Sequence, residues 1–264
     1  MGLFLVAGTK GGVGKTLCAS MLIDTAIDAG IQVVAYDCDN ENQSLTAVFK
    51  NSTITLHAID PENGREAYPL DRVVNELKAN SDQEKAFIVD MKAGTSKSTL
   101  EWLDCVPVAE LAAARIAVNI VGCVTAEVDS CITFLRWLDY CREMFVSGQA
   151  NLILIRNLIA GQNFWYYEKT LKPVLEEQLP HTRIIEMPFF TPEYLTLSRK
   201  AGLTYGQMLR DKAQLQGLQY MQIIRIRKQY EIAAQRFRVL WPEKQTKIKK
   251  EVLSLDGGRK QHNA

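Results

Sequence analysis

Leu3-Phe4-Leu5-Val6-Ala7 runs directly into Gly8-Thr9-Lys10-Gly11-Gly12-Val13-Gly14-Lys15-Thr16, and residues 17–29 continue with helical spacing. An apolar strand, a glycine-rich turn and a helix, in that order, form the setting in which a loop cradles phosphates. Glycines let successive backbone N–H groups turn inward onto phosphate oxygens, and the N-terminus of the following helix adds positive potential. Lys15 is placed to reach the β and γ phosphates of a nucleotide, and the Thr16 hydroxyl to ligate Mg²⁺. A tight turn without a ligand has no need of Lys-Thr at this spacing.

Working outward, short β-branched runs at residues 33–36, 87–89, 117–121, 152–155 and 183–186 repeat the character of the first strand. Such runs, without alternation, suit parallel strands covered on both faces. Helical patterns fall between them, at residues 70–79, 98–103, 128–145, 166–178 and 194–199, with one or more helices over 206–240. In the helix at 128, a core-facing stripe of Ile132, Leu135 and Leu138 is expected. The alternation implies right-handed crossovers and an α/β fold, a doubly wound, mostly parallel sheet flanked by helices. Residues 1–241 read as one nucleotide-binding domain with its C-terminal helices, and 242–264 as a basic, loose tail.

Composition narrows the class. With 47% apolar and 23% charged residues the chain is ordinary globular protein. The six cysteines are scattered with no C-x-x-C pair, which suits a reducing, cytoplasmic setting better than a zinc site. No apolar run approaches the length of a membrane span, and the N-terminus reads as a strand with no basic leader. Charge is unevenly spread: residues 225–264 carry a net +7 and residues 1–224 a net −6. A basic end on an acidic body points to a polyanionic partner, or to a solvated helical face.

One place departs from the strict phosphate-loop pattern. Its opening glycine would fall at Thr9, and a second lysine, Lys10, follows at once. Lys-Gly-Gly-Val-Gly-Lys-Thr resembles the deviant Walker A box of the ParA/MinD family of dimeric P-loop ATPases. The resemblance implies that ATP is the ligand, bound with Mg²⁺ through residues Lys10, Gly11, Gly12, Val13, Gly14, Lys15, Thr16 and the backbone of Leu17. It implies too that Lys10 crosses a dimer interface to the nucleotide of a second copy. Asp37-Cys38-Asp39, 22 residues after Lys15, resembles the family's switch I segment, although Asn40-Glu41 stands where Pro-Gln is frequent. By that resemblance Asp37 sits near Mg²⁺ through water, and Asp39 orients the attacking water. Asp90, with Gly94 four residues on, resembles Walker B and switch II, with Met91-Lys92-Ala93 in place of the frequent Thr-Pro-Pro. Lys92 beside a metal site admits a role toward the γ-phosphate, a partner or solvent. Asn157 and Pro188 are similar to the family's adenine-contacting positions. The expected catalytic set is Lys10, Lys15 and Asp39, and the expected metal set Thr16, Asp37 and Asp90.

Three functions compete. The first is a ParA-like ATPase that dimerises on ATP and positions or segregates a cargo, such as a plasmid, along nonspecific DNA. A cargo-bound adaptor would trigger hydrolysis. Arg225, Arg227, Lys228, Arg236 and Arg238, with Tyr230 and Phe237 on one helix, are the expected DNA contacts. The second is a MinD-like or secretion-associated ATPase at a membrane, for which residues 247–255 offer only a short apolar face. The third is a P-loop ligase of the dethiobiotin synthetase type, against which the Lys10 signature stands. His57, His181 and His262 are isolated, and the aromatic cluster at residues 162–167 reads as packing or a partner surface.

Overall fold

The computed structural model describes residues 2–8, 10–61, 68–80, 83–94, 96–106, 108–210 and 218–241. Seven strands, all paired in parallel, lie in the order β3-β2-β4-β1-β5-β6-β7. They are β1 (Gly2–Ala7), β2 (Gln32–Asp37), β3 (Thr55–Ala58), β4 (Lys85–Asp90), β5 (Ala117–Val124), β6 (Asn151–Asn157) and β7 (Arg183–Met187). β1 is buried along its whole length and feeds two cores. Leu3, Leu5 and Ala7 face one layer, and Phe4 and Val6 the other, so the period of two persists although both sides are apolar.

The expected strands all form. β3 was not foreseen, because Thr-Leu-His-Ala at the sheet edge is half-exposed and carries no apolar run. Ten α-helices lie among the described residues. On the first face are α3 (Asp71–Ala79), α4 (Ser96–Cys105), α5 (Val108–Ala113), α6 (Val128–Val146) and α7 (Lys172–Gln178), the last preceded by a π-helical turn at Tyr167–Leu171. The second face holds α1 (Lys15–Asp28), α2 (Ser44–Phe49), α8 (Pro192–Ala201), α9 (Tyr205–Arg210) and α10 (Tyr220–Phe237), extended by a 3₁₀ turn at Arg238–Leu240. α2 and α5, six residues each, escaped the sequence because neither spans two turns of periodic pattern.

The stripe expected on α6 is shifted. Cys131, Phe134, Trp137, Leu138, Cys141 and Phe145 are buried, while Ile132 and Leu135 lie at its flank. Trp137 is the largest fully buried side chain, and packing it fixes the helix rotation. The C-terminal helices are tied to α1 by polar contacts inside the second core. Asp24 accepts from the Thr204 hydroxyl at 2.5 Å and the Gly206 N–H at 3.1 Å, Asp28 accepts from Tyr230 at 2.8 Å, and the Trp241 indole donates to Thr25 at 2.8 Å. The tail expected at 242–264 lies outside the described residues.

Candidate functional site

The loops after β1, β2 and β4 meet at the carboxyl ends of the strands, where open α/β sheets bind ligands. Pairing in register brings Asp37 opposite Asp90 as the last residues of β2 and β4, and sets Asp90 beside Val6 of β1. Residues 53 positions apart in sequence are thereby set on neighbouring strand ends by register alone.

The loop between β1 and α1 depends on its glycines and on supports from below. Gly14, the N-cap of α1, has φ +94°, and a Cβ there would lie 2.2 Å from Asn157 Nδ2. Only glycine meets both conditions. The Val13 carbonyl accepts from Asn157 Nδ2 at 2.9 Å and from the Cys123 thiol at 2.9 Å. Over the loop, Lys15 Nζ donates to the Lys10 carbonyl at 3.0 Å. Burial pushes the Lys15 pKa down, against the opposing charges of Asp90 and Asp39. An ammonium so poorly hydrated gains strongly from an incoming polyphosphate.

A cavity of about 360 Å³ opens above the loop, walled by Gly11, Gly12, Gly14, Lys15, Thr16 and Leu17, with Asp39 and Asp90 opposite. That volume suits a small-molecule ligand. Leu195 and Tyr205 of the C-terminal helices close the far side, a contribution with no motif to announce it.

The acids divide the work. Asp90 is fully buried, and burial raises its pKa to about 7 although the neighbouring Thr16 hydroxyl favours its charged form; the Asp37 charge pushes it further up. Its Oδ1 is buried with no partner among the described residues. An orphaned carboxylate oxygen beside a threonine hydroxyl is a donor set for a hard divalent cation, so Thr16 and Asp90 fit Mg²⁺. Asp37 is otherwise engaged: Oδ2 accepts from the Thr46 N–H and hydroxyl, both at 2.8 Å, and Oδ1 from the Asp39 N–H at 3.1 Å. It anchors α2 and the turn before it, and stands behind the cavity wall. Asp39 reaches the cavity. Burial acts to raise its pKa, but hydrogen bonds from the Asn42 side chain and N–H, with the Lys92 charge, hold it below the usual carboxylate value.

Asn157 and Pro188, the expected adenine-contacting positions, are both buried. Asn157 is buried to 1%, its amide given to Val13 and its Oδ1 accepting from Ile159 N–H at 3.2 Å. It braces the loop. Pro188 is buried too, and Ile159 lines the cavity. The aromatic cluster is largely packing: Phe164 and Tyr167 flank the Arg156 guanidinium at 4.6 and 4.7 Å, and of its rings Trp165 alone is well exposed.

The model of the CobQ/CobB/MinD/ParA nucleotide binding domain matches residues 4–237. The chain belongs to this family. Solved structures agree on the fold. The cell division ATPase MinD of Pyrococcus furiosus superposes with TM-score 0.55 at 14% identity, covering 90% of this chain and 98% of that one. A chain of the MinC:MinD cell division protein complex of Aquifex aeolicus gives TM-score 0.51 at 16% identity, covering 88% and 95%. A plasmid partition protein from Borrelia burgdorferi is also similar, at TM-score 0.47 and 16% identity over 74% and 93%. No curated protein matches the sequence.

As a ParA/MinD-family nucleotide-binding ATPase domain, the chain has two features that its motifs did not reveal. Lys10, the extra lysine of the loop, pairs with Glu127 at 2.8 Å and is not among the residues that wall the cavity. Lys92 pairs with Glu41 at 2.8 Å, so the two segments in which this chain departs from the family resemblance meet in space. Neither glutamate carried a local signal, because each partner lies far along the chain.

Proposed function

We propose that this protein is a ParA-like switch: ATP joins two copies face to face, the dimer holds nonspecific DNA, and a cargo-bound adaptor triggers hydrolysis and release. The observation that carries the proposal is the position of Lys10. Lys15 already serves the cavity of its own chain, whereas Lys10 is held at its rim by Glu127, itself half-exposed. A cation at the rim is available to phosphates presented by a second copy. Bound Mg²⁺, held by Thr16 and Asp90, would supply charge neutralisation at the β and γ phosphates. Asp39 then positions the attacking water, and Asp37 keeps the turn that carries it in place.

DNA is favoured as the track by the charge on α10. Arg225, Arg227 and Lys228 are exposed there, and Arg238 on the turn that follows. Arg236 leaves the expected set, because its guanidinium is tied to the Glu186 side chain and carbonyl, both at 2.9 Å. Tyr230 and Phe237, which share the helix, are buried in the second core. The remaining cations suit sequence-independent phosphate contact, and dimerisation doubles them on one assembly. The working location is then the cytoplasm, on the nucleoid.

Fluorescence anisotropy with two unrelated DNA duplexes, compared with flotation on anionic liposomes, tests the reading. ATP-dependent binding to both duplexes is expected. The triple variant Arg225→Ala, Arg227→Ala, Lys228→Ala should bind both more weakly, with a salt dependence flatter by about one unit of slope per lost phosphate contact. ATP-dependent binding to liposomes alone would replace DNA with a membrane, as in a MinD-like protein. Binding to neither surface would leave a metabolic ligase as the better reading.

A further inference from the structure

The ion pair between Lys92 and Glu41 joins the two loops that carry the site's acids. Lys92 lies two residues beyond Asp90, between Met91 and Ala93, which both line the cavity. Ala93 in turn lies against the phosphate loop, 3.7 Å from where a Cβ on Gly11 would be. The Lys92 side chain is only 16% exposed, low for a lysine, and its ammonium reaches Glu41 Oε1 at 2.8 Å. Glu41 belongs to the turn after β2, as does Asp39, which lines the cavity.

That turn is built to move as a unit. The Asp39 carboxylate accepts from the Asn42 N–H at 3.1 Å and from its side-chain amide at 3.0 Å, and the Gln43 N–H donates to the Asp39 carbonyl at 2.8 Å. Asp37 pins its far end through Thr46. Gln43 closes it with φ +43°, a left-handed conformation that a non-glycine residue adopts at some cost. On the other loop, Gly94 has φ +88°, so the chain turns sharply just beyond Lys92. A displacement of either loop therefore reaches the other through the Lys92–Glu41 contact.

We propose that Lys92 is a positioning residue: by holding Glu41 it docks the Asp39 turn against the β4 loop and sets the Asp39 carboxylate for hydrolysis. This rests on the ATPase reading given above. ATP binding does not depend on the pair, because Lys15, the loop N–H groups and Thr16 make that contact. Nor does overall stability, since an ion pair with one largely exposed partner contributes little.

The test uses the full chain as Lys92→Ala, Glu41→Ala and the reversed pair Lys92→Glu with Glu41→Lys. Each alanine variant should lower kcat about tenfold, the scale of one coupled contact, with the ATP dissociation constant and melting temperature unchanged. The reversed pair should regain most of the lost turnover. Hydrogen exchange over residues 39–46 in the nucleotide-free variants reads the contact without relying on turnover, and should quicken in both alanine variants and recover in the reversed pair. Weaker ATP binding in Lys92→Ala with no rescue by reversal would overturn the proposal in favour of direct phosphate contact. Unchanged exchange in the alanine variants would overturn it too, even in a protein that hydrolyses ATP normally. Absence of turnover in the wild type, with exchange behaving as expected, would refute the ATPase reading and leave the contact between the loops standing.

Discussion

Lys10 and Glu127 form an ion pair of 2.8 Å that ties the phosphate loop to the residue just before α6. The pair engages the lysine that follows Thr9, next to Gly11 and Gly12 of the cavity wall. If its work lies across a dimer interface, Lys10→Ala should bind ATP as the wild type does and lose turnover. A loss of roughly 10³-fold is the scale for a cation supplied to phosphoryl transfer from outside the site. Calorimetry and a phosphate-release assay together check this, and near-normal turnover would remove the role.

Lys15 has the opposite profile. It is buried in the cavity wall, and among the described residues its ammonium donates to the Lys10 carbonyl alone. Lys15→Ala removes the point charge on the β and γ phosphates, so calorimetry should find ATP binding abolished. Unaltered affinity would contradict the assignment of the loop.

For Asp39 the expectation is a separation of binding from chemistry. Asp39→Ala should leave ATP affinity intact and lower turnover by at least about a hundredfold, since positioning dominates phosphoryl transfer. Single-turnover kinetics measures the chemical step directly. Should turnover persist, the orienting group is another residue of the turn.

Asp24 offers a pH signature away from the phosphates. Burial raises its pKa to about 6, although the Thr204 hydroxyl, Arg210 and the Gly206 N–H all favour its charged form. The folded chain thus keeps a proton that the unfolded chain has already released. Stability from this group falls as pH rises from about 4 to about 6 and is then flat, a loss of roughly 3 kcal/mol in all. Urea melts of Asp24→Asn should lack that slope, and parallel profiles for variant and wild type would contradict the assignment.

Much of this was legible in the sequence because it is local. The loop from Gly8 to Thr16 announces strand, turn and helix together, and Asp37 and Asp90 end apolar runs whose parallel pairing sets them side by side. What was missed is held by contacts between distant residues. Glu127 and Glu41 gain meaning only when the fold brings lysines to them, and the Asn157 amide serves Val13 because the approach of Gly14 leaves it no other place. The shifted stripe of α6 has the same origin, since the fit of Trp137 outweighed the aliphatic spacing. On α10, position in the core separated Tyr230 and Phe237 from the cations that flank them.

Light scattering of the wild-type protein, in ADP and in a non-hydrolysable ATP analogue with Mg²⁺, tests the central claim most directly. The account predicts the mass of one chain with ADP and of two with the analogue, and one chain in both states for Lys10→Ala. A wild-type mass that is the same in both nucleotides would contradict it.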